Sequence, residues 1–373
     1  MKYKVLFISS WFPNKLEPTN GNFVQRHAEA VATLHDVEIL HTIGDFHQEK
    51  IFVFDDQIIN GIRTLVIYYK NSKNPIQNFL RRMKAYKIGF SKMQKPDIVH
   101  ANVLHNNMFF AVYLKKKFKI PFVVTEHWTA LRKINHHNTS SAIKWIAKYV
   151  GNQASMILPV SNDLKESLDV LGIKTSKKVI PNVVDTKLFK PKNADSEEFN
   201  FIHISNLIPR KNSNKILNVA IKLLKEGYNL KLKIGGDGDT KPLRTLVKKE
   251  NLEDKIEIFD TITSKEVSEK LNASDCFILL SSDENQPCVI SESFASGIKV
   301  ISTNVGGIAE FFPADFGILL DSPNEGLLED AMKKIIDESK NWDRGELANY
   351  AEQTFSKDSI AKQFTEAYKQ ILN

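Results

Sequence analysis

Short apolar runs alternate with segments of helical periodicity along the whole chain. Each run has the length of a strand, and such βα alternation is typical of parallel sheets that are buried on both faces. The runs that we predict to be strands are residues 5–8, 37–40, 98–100, 122–125, 156–160, 201–205, 230–234, 256–259, 276–280 and 299–303. The pattern therefore predicts an α/β protein with parallel sheets.

The alternation breaks between residues 185 and 199, where Pro191 and the polar run 192–198 interrupt the regular pattern. A chain of 373 residues is also too long for one ordinary core and suits two domains. We therefore place a domain boundary at residues 185–186. A final helical pattern, over residues 359–372, has its apolar positions on one face.

Two carboxylates, Glu284 and Glu292, lie eight residues apart between two of the predicted strands. On a single helix this spacing would separate them by ~12 Å along the axis and by ~80° around it. If both act on one ligand, one of them must lie in a loop, and residues 289–296 have the pattern of a short helix that ends at Gly297. Loops that follow parallel strands open at the carboxyl edge of the sheet, where α/β folds bind ligands. The alternative is that both are solvated surface charges.

At this point the chain resembles the retaining GT-B glycosyltransferases, and family 4 in particular. The family signature is a Glu, seven residues, a second Glu, a short helix, a small residue with Gly, a strand, and a Gly-Gly turn with a Glu three residues later. The matching residues are Glu284, Glu292, Ala295, Gly297, Gly306, Gly307 and Glu310. Residues 181–185 are similar to the family's Pro-Asn-Gly-Val-Asp joint, with Val183 in place of the Gly.

The resemblance implies two Rossmann-like domains that face each other across a cleft, with the last helix crossing back to the first. The acceptor-binding domain would be 1–185 with 355–373, and the donor-binding domain would be 186–354. Glu284 would contact the donor sugar near its anomeric carbon, and Glu292 would hold the ribose hydroxyls of the nucleotide. Pro287, Cys288 and Val289 complete this part of the donor-binding set. The family often has Gly-Phe-Gly where this chain has Asn-Gln-Pro at 285–287, so the identity of the sugar stays open.

Residues 205–212 follow a predicted strand and open a helix, which is where cations and backbone N–H groups hold phosphates. The family pattern is Gly-Arg-Leu, then three intervening residues and a Lys, and its alignment here puts Asn206 at the Arg and Lys211 at the Lys. The resemblance therefore implies that Lys211 contacts the diphosphate, with Arg210 as a substitute for the missing Arg. Gly306 and Gly307 would bring backbone N–H groups to the phosphates at a helix start, or serve only as a tight turn.

Two residues of the first domain are also assigned from the resemblance. His127 follows an apolar strand and would lie at the carboxyl edge of the first sheet. The family has a His here that touches the donor sugar and supports positive charge at the anomeric centre; taken alone, such a His is more often structural. Gly21 lies in a segment similar to the family's first glycine loop, whose amides approach the donor phosphate and the acceptor.

Neither of two candidate metal sites has suitable spacing. Asp237 and Asp239 form an Asp-x-Asp, but within a glycine turn that resembles a nucleotide-lining turn of the family. His136 and His137 are adjacent, face different directions and have no carboxylate at ligand spacing. We therefore expect no metal and no cofactor, only a nucleotide sugar substrate.

The excess of positive charge is confined to the first half of the chain. Residues 1–185 hold 26 Lys and Arg against 14 Asp and Glu, and the remainder holds 25 against 30. Much of the excess lies in residues 70–95, where apolar residues recur at three- and four-residue steps between basic ones. This pattern predicts a basic amphipathic helix that either packs on the sheet or docks on anionic lipid. A base-reading motif is missing, so we do not expect nucleic-acid binding.

The remaining composition is that of a soluble globular protein. No run approaches the 18 apolar residues that a membrane span requires, and the N-terminal apolar run lacks a cleavage site. The two cysteines, Cys276 and Cys288, form no disulfide framework, so we expect free thiols in the cytoplasm. An enzyme with a lipid-linked acceptor would in addition contact the inner face of the membrane peripherally.

The sequence thus predicts a metal-independent, retaining glycosyltransferase of the hexosyltransferase class in cell-envelope polysaccharide or glycolipid synthesis. Retention is expected through front-face displacement, or through a covalent intermediate on Glu284 as in retaining glycosidases. Two rivals stay open. One is a nucleotide-sugar epimerase or phosphorylase of the same fold, and the other is a catalytically silent protein that binds sugar nucleotides or a lipid surface.

Overall fold

The computed structural model describes residues 2–192, 197–338 and 342–373. The chain divides into two compact units, Met1–Val183 with Lys357–Asn373 (unit 1) and Val184–Ser356 (unit 2). This division lies two residues before the boundary placed at 185–186 from the sequence. Residues 193–196 of the polar run that prompted that boundary lie outside the described residues.

Unit 1 is built on a mainly parallel sheet. Its described strands are β1 (Lys4–Ser9), β2 (Asp36–Asp45), β3 (Phe52–Ile59), β4 (Ile62–Lys70), β5 (Ile98–Asn102), β6 (Phe122–Glu126) and β7 (Met156–Pro159). They lie in the order β3-β4-β2-β1-β5-β6-β7. All neighbours pair in parallel except β3 and β4. β1 is buried at every residue after Lys4, as expected for a strand that is covered on both faces.

The β3–β4 hairpin was not among the predicted strands. Asn60 and Gly61 connect the two strands with φ angles of 50° and 79°, the left-handed pair that a type I′ turn requires. β3 lies at the edge of the sheet and its side chains are mostly exposed or half-buried. The sheet is therefore mixed at this edge and parallel elsewhere.

Helices cover both faces of this sheet. They are α1 (Asn22–Ala32), α2 (Pro75–Phe90), α3 (Phe109–Phe118), α4 (Ser141–Gln153) and α5 (Asn162–Val170). Helices α2 to α5 share one core on one face, whereas α1 contributes to the core on the other. The basic helix expected within 70–95 is α2: Tyr86 and Gly89 are buried toward the sheet, whereas Ile76 and Leu80 are exposed.

Unit 2 contains a second, wholly parallel sheet over its described residues. Its strands are β8 (Phe199–Ser205), β9 (Leu230–Gly236), β10 (Ile256–Phe259), β11 (Cys276–Leu279), β12 (Lys299–Thr303) and β13 (Gly317–Leu320). They lie in the order β10-β9-β8-β11-β12-β13. The helices are α6 (Ser213–Lys225), α7 (Lys241–Lys249), α8 (Ser264–Asn272), α9 (Cys288–Ala295), α10 (Glu325–Asp337) and α11 (Arg344–Phe355).

The last helix, α12 (Lys357–Leu372), belongs to unit 1 and packs against α1. Its apolar face, which includes Ile360 and Phe364, is fully buried in the core that α1 shares. The hydroxyl of Tyr368 also lies 2.6 Å from His100 Nδ1. The return of the last helix to the first domain is therefore confirmed, and its cause is this buried apolar face.

Candidate active site

The strand order of unit 2 reverses between β8 and β11, because the chain runs from β8 to β10 on one side and from β11 to β13 on the other. Open α/β sheets bind ligands in the crevice that such a reversal leaves at the carboxyl ends of the two strands. Residues 206–212 leave β8 at this point, and residues 280–287 leave β11. Lys211 and Glu284 therefore lie on adjoining loops of one sheet edge.

Polar groups hold these two loops together. The side-chain amide of Asn212 donates to the Leu280 carbonyl at 2.8 Å and to Ser282 Oγ at 2.9 Å. The N–H of Ser282 in turn donates to the carbonyl of Arg210 at 2.8 Å. Because two of these three bonds involve the backbone, they fix the path of the chain on both sides of the cations. Asn206, at the start of the first loop, is exposed.

Arg210, Lys211 and Glu284 form a charged cluster across the two loops. Lys211 Nζ makes an ion pair with Glu284 Oε1, and Arg210 Nη1 lies 3.9 Å from Oε2. Arg210 also donates to the carbonyl of Asp283. Glu284 is only 5% exposed, so its charge requires these partners. Two cations around one carboxylate leave net positive charge, which suits an anionic ligand.

Helix α9 begins immediately after this cluster. Its N-cap residue is Pro287, which makes no side-chain hydrogen bond to the first turn. A helix start of this kind attracts negative charge through its backbone N–H groups, which here begin with Cys288 and Val289. Glu292 lies on α9 and is 6% exposed. Glu284 thus lies in the loop and Glu292 in the helix, as we expected from their eight-residue spacing.

The loop after β12 completes this sheet edge. The N–H of Gly307 donates to the carbonyl of Asn285 at 3.0 Å. Gly306 has a φ of 62°, a conformation that favours glycine. The element that follows is a three-residue 3₁₀ turn, Ala309–Phe311, rather than the α-helix start that we expected there. The loops after three neighbouring strands therefore meet through backbone contacts.

The glycine turn around residues 237–239 has a structural explanation. The N–H of Asp237 donates to the carbonyl of Ser205 at 3.1 Å. A Cβ at Gly236 would lie 2.0 Å from that carbonyl oxygen, so glycine is required for this close approach. Over the described residues, no group of three or more His, Cys, Asp or Glu is arranged to hold a metal ion.

The predicted residues of unit 1 also gather at one sheet edge, where the strand order reverses between β1 and β5. Gly21 is the N-cap of α1, with a φ of 77°, and a Cβ there would lie 2.4 Å from the carbonyl of Trp11. The ring of His127 lies 4.2 Å from that of Phe23, and the rings of Trp11 and Trp128 are 5.9 Å apart. His127 therefore lies in a cluster of aromatic rings, and Gly21 packs against the backbone of Trp11, which belongs to the same cluster.

Sequence reasoning missed a buried carboxylate, Glu126, that organises this edge. Its Oε1 accepts hydrogen bonds from the N–H groups of His127 at 2.8 Å and Trp128 at 2.7 Å. Its Oε2 accepts from the N–H of Leu104 at 2.6 Å. Glu126 thereby joins the loop after β6 to the loop after β5. Burial raises its pKa from 4.5 to about 7, against the opposing effect of these donors.

His127 is held neutral by its surroundings. Burial lowers its pKa well below 6.5, and the nearby His27 and His100 lower the pKa further. Near neutral pH the imidazole therefore carries no charge. A neutral ring does not repel positive charge that develops on a bound group.

Comparison with known proteins matches both units to one class of enzyme. Residues 21–188 match the model of Glycosyltransferase Family 4, and residues 184–354 match that of Glycosyl transferases group 1. The putative teichuronic acid biosynthesis glycosyltransferase TuaC of Bacillus subtilis is 24% identical, with 89% of this chain and 88% of TuaC covered. A phosphatidylinositol N-acetylglucosaminyltransferase polypeptide of Arabidopsis thaliana is 27% identical, but the match covers only 52% of this chain and 44% of that protein.

Two solved structures confirm the GT-B fold. Sucrose-phosphate synthase from Thermosynechococcus elongatus superposes with a TM-score of 0.79 at 17% identity, and 99% of both chains is covered. Anabaena HepE in complex with UDP superposes with a TM-score of 0.76 at 17% identity, with 99% of this chain and 100% of that chain covered.

Replacement of Gly21 with Ala should destabilise unit 1 far more than the same change at Gly61. Both glycines have a φ near 78°, but a Cβ at Gly61 would meet no atom within 4 Å, whereas one at Gly21 would collide with the Trp11 backbone. Gly61→Ala should therefore cost only the strain of the left-handed backbone, about 1 kcal/mol. Gly21→Ala should cost at least ~2 kcal/mol more. Unfolding in urea measures both, and equal losses would contradict the close approach.

Replacement of Glu126 with Gln should remove one component of the pH dependence of stability. Because the pKa of Glu126 is raised to about 7, the folded state holds a proton between pH 4.5 and 7 that the unfolded state has lost. The free energy of unfolding therefore falls through this group as the pH rises across that window.

The free energy of unfolding of Glu126→Gln, relative to that of the wild type, should therefore increase as the pH is raised from 5 to 7.5. Urea unfolding at constant ionic strength measures this difference. Glu49→Gln, at an exposed position of the same unit, is the matched control and should not change the profile. A difference between Glu126→Gln and wild type that does not vary with pH would contradict this account.

Proposed function

The chain belongs to the group 1 glycosyltransferases of family 4, and we propose that it transfers a sugar from a nucleoside diphosphate sugar to a hydroxyl of a saccharide or lipid-linked acceptor, with retention of configuration. Glycosyltransferase activity follows from the family; the donor, the acceptor and the stereochemistry are the proposal. The observation that carries it is the cluster of Arg210, Lys211 and Glu284 at the switch point of unit 2.

The donor is assigned to unit 2. Lys211 and Arg210 supply positive charge for a diphosphate, and the start of α9 supplies backbone N–H groups. The N–H of Gly307 was also expected to reach the phosphates, but it is already donated to the carbonyl of Asn285. Glu284 is assigned to hydroxyls of the donor sugar, and Glu292 to those of the ribose. HepE binds UDP, which supports a nucleotide ligand for this fold. When the diphosphate binds, Lys211 would share its charge between Glu284 and the phosphate.

The acceptor is assigned to unit 1. Its sheet edge carries aromatic and neutral imidazole side chains around His127, which suit a neutral polyol better than an anion. TuaC is named for teichuronic acid biosynthesis, and the Arabidopsis relative for transfer to phosphatidylinositol. These names support a cell-envelope polysaccharide or a glycolipid as the product.

We assign retention to front-face displacement. The bond from the anomeric carbon to the donor phosphate breaks, and the acceptor oxygen bonds to the same face of that carbon. The acceptor proton passes to the departing phosphate oxygen. Lys211 and Arg210 offset the charge of the leaving diphosphate, while Glu284 supports the positive charge of the sugar. A covalent route through Glu284 is disfavoured because a carboxylate engaged by two cations is a weaker nucleophile.

We propose that this chemistry needs no metal, because Arg210 and Lys211 occupy the place where a metal would otherwise neutralise the diphosphate. Activity should therefore survive EDTA. No α-helix within the described residues combines the length and apolarity needed to cross a bilayer. Cys276 and Cys288 are thiols rather than disulfide partners, which supports our assignment of the enzyme to the cytoplasm.

One nucleoside diphosphate sugar should stabilise the protein strongly. At a ligand concentration of about 100 times Kd, binding contributes about 2.7 kcal/mol of stability, which corresponds to a shift of several degrees. A thermal-shift screen of UDP-, GDP- and ADP-sugars measures this effect and identifies the base. Lys211→Met should abolish the shift, whereas Lys265→Met, on a side chain that is 79% exposed in the same unit, should preserve it. If none of these nucleotides stabilises the protein, the donor assignment fails.

Glu284→Gln should lower transfer by about 100-fold or more, because the developing positive charge loses a preorganised carboxylate. Product formation is followed with radiolabelled donor, and circular dichroism verifies folding. Glu253→Gln, at an exposed position of unit 2, is the control. Full activity in Glu284→Gln would refute the assignment, and donor consumption without any acceptor product would identify an epimerase instead.

A further inference from the structure

Three of the four helices that cover one face of unit 1 carry only positive charge, whereas the fourth, α5, contains three acidic residues and one Lys. Helices α2, α3 and α4 contain four, three and two Lys or Arg residues and no Asp or Glu. All three pack on the same core, through residues such as Tyr86, Phe110 and Val150. Because they share one layer, their solvent-facing sides form a continuous basic surface.

The opposite face of unit 1 has no such bias. Helix α1 carries Arg26 and Glu29, and α12 mixes lysines with Asp358 and Glu366. The charges there compensate each other in part, as in the ion pair of 3.0 Å between Lys357 and Glu29. The excess charge of the first half of the chain is therefore concentrated on the layer formed by α2, α3 and α4.

Large apolar side chains are exposed on this basic layer. Ile76 is 70% exposed, Leu80 61% and Trp145 61%. Aromatic contacts connect α2 to α4: Phe79 lies 5.9 Å from Phe109, which lies 6.5 Å from Trp145. Trp145 also stacks on Tyr149 at 5.6 Å. We call the set Ile76, Phe79, Leu80, Phe109, Trp145 and Tyr149 the aromatic surface.

The cations near the aromatic surface are bonded to neutral groups. Arg81 donates to the Lys70 carbonyl at 2.6 Å, and Lys144 donates to the His136 carbonyl at 3.0 Å. Lys116 lies 3.1 Å from the hydroxyl of Tyr149. Lys84, which follows Ile76 and Leu80 at four-residue steps, is exposed. These contacts orient the cations without cancelling their charge.

We propose that the aromatic surface and the lysines around it dock on an anionic phospholipid bilayer. Trp and Tyr prefer the membrane interface, aliphatic tips enter it, and surrounding lysines bind anionic headgroups. A second copy of the chain that met this surface with its own basic surface would bring like charge against it. The inference deepens the proposed function by naming where a lipid-linked acceptor is met, but binding to vesicles needs neither donor nor transfer.

The test is cosedimentation of the full chain with phosphatidylglycerol/phosphatidylcholine vesicles and with pure phosphatidylcholine vesicles, without donor or acceptor. The protein should bind the anionic vesicles, and binding should weaken as salt is raised. Ile76→Ser with Trp145→Ser should lower partitioning about tenfold or more. Ile58→Ser is the matched control, because Ile58 is 69% exposed on β3 of the same unit.

A second pair of variants isolates the charge. Lys84→Gln with Lys148→Gln, on the basic layer, should weaken binding to anionic vesicles roughly tenfold. Lys362→Gln with Lys369→Gln, at exposed positions of α12 on the other face, removes the same charge and should have a much smaller effect.

Three outcomes would overturn the proposal: no binding to either vesicle, equal binding to both, or equal losses in the surface variants and their controls. Light scattering that shows a dimer lost in Ile76→Ser with Trp145→Ser would assign the surface to self-association instead. Slow hydrolysis of the donor sugar in solution, measured on the same variants, should be unchanged. Loss of hydrolysis together with intact vesicle binding would count against the proposed function and leave this inference standing.

Discussion

The ion pair between Lys211 and Glu284 is the interaction on which the site of unit 2 depends. Transfer of two charges out of water costs several kcal/mol per ion, and only close pairing with further hydrogen bonds offsets that cost. Lys211 comes from the loop after β8 and Glu284 from the loop after β11, so the pair spans the point where the strand order reverses. A buried carboxylate at this position is tolerated only because the neighbouring loop brings cations to it.

The loops do not rely on that ion pair for their conformation. Asn212 bonds the backbone at Leu280, Ser282 bonds the backbone at Arg210, and Gly307 bonds the backbone at Asn285. These hydrogen bonds would remain when the Lys211 ammonium group interacted with a phosphate as well as with Glu284. Binding could then exchange one partner of the cation for another without rebuilding the loops, which is the preorganisation that electrostatic catalysis requires.

The sequence predicted those features that arise from local pattern and chain geometry. Ten of the strands appear as apolar runs, and the spacing of Glu284 and Glu292 correctly required one loop and one helix position. The strands β3 and β13 were missed because both lie at sheet edges and lack a buried run. β4 is mostly buried and was missed although Asn60-Gly61 before it is a strong turn signal. The pairing of Lys211 with Glu284, which lie 73 residues apart, follows only from the strand order.

Glu126 and Trp145 were missed because their environments contradict their residue types. An acidic side chain is expected at the surface and an indole in the core, but here the acid is buried and the indole is exposed.

Both units hold their functional loops by the same physical rule. At the carboxyl edge of a parallel sheet the strands end, and backbone N–H groups must find partners outside the ladder. Unit 1 satisfies three of them with the single carboxylate of Glu126. Unit 2 satisfies the N–H groups of Ser282 and Gly307 with backbone carbonyls and so keeps the carboxylate of Glu284 for its cations. In unit 1 the carboxylate is therefore used up on backbone N–H groups, and the side chains at the sheet edge are aromatic and neutral. In unit 2 the charged side chains of Arg210, Lys211 and Glu284 remain at the sheet edge. The edge of unit 1 therefore suits a neutral hydroxyl group and that of unit 2 suits an anion, and on this difference we base the proposed acceptor and donor sites.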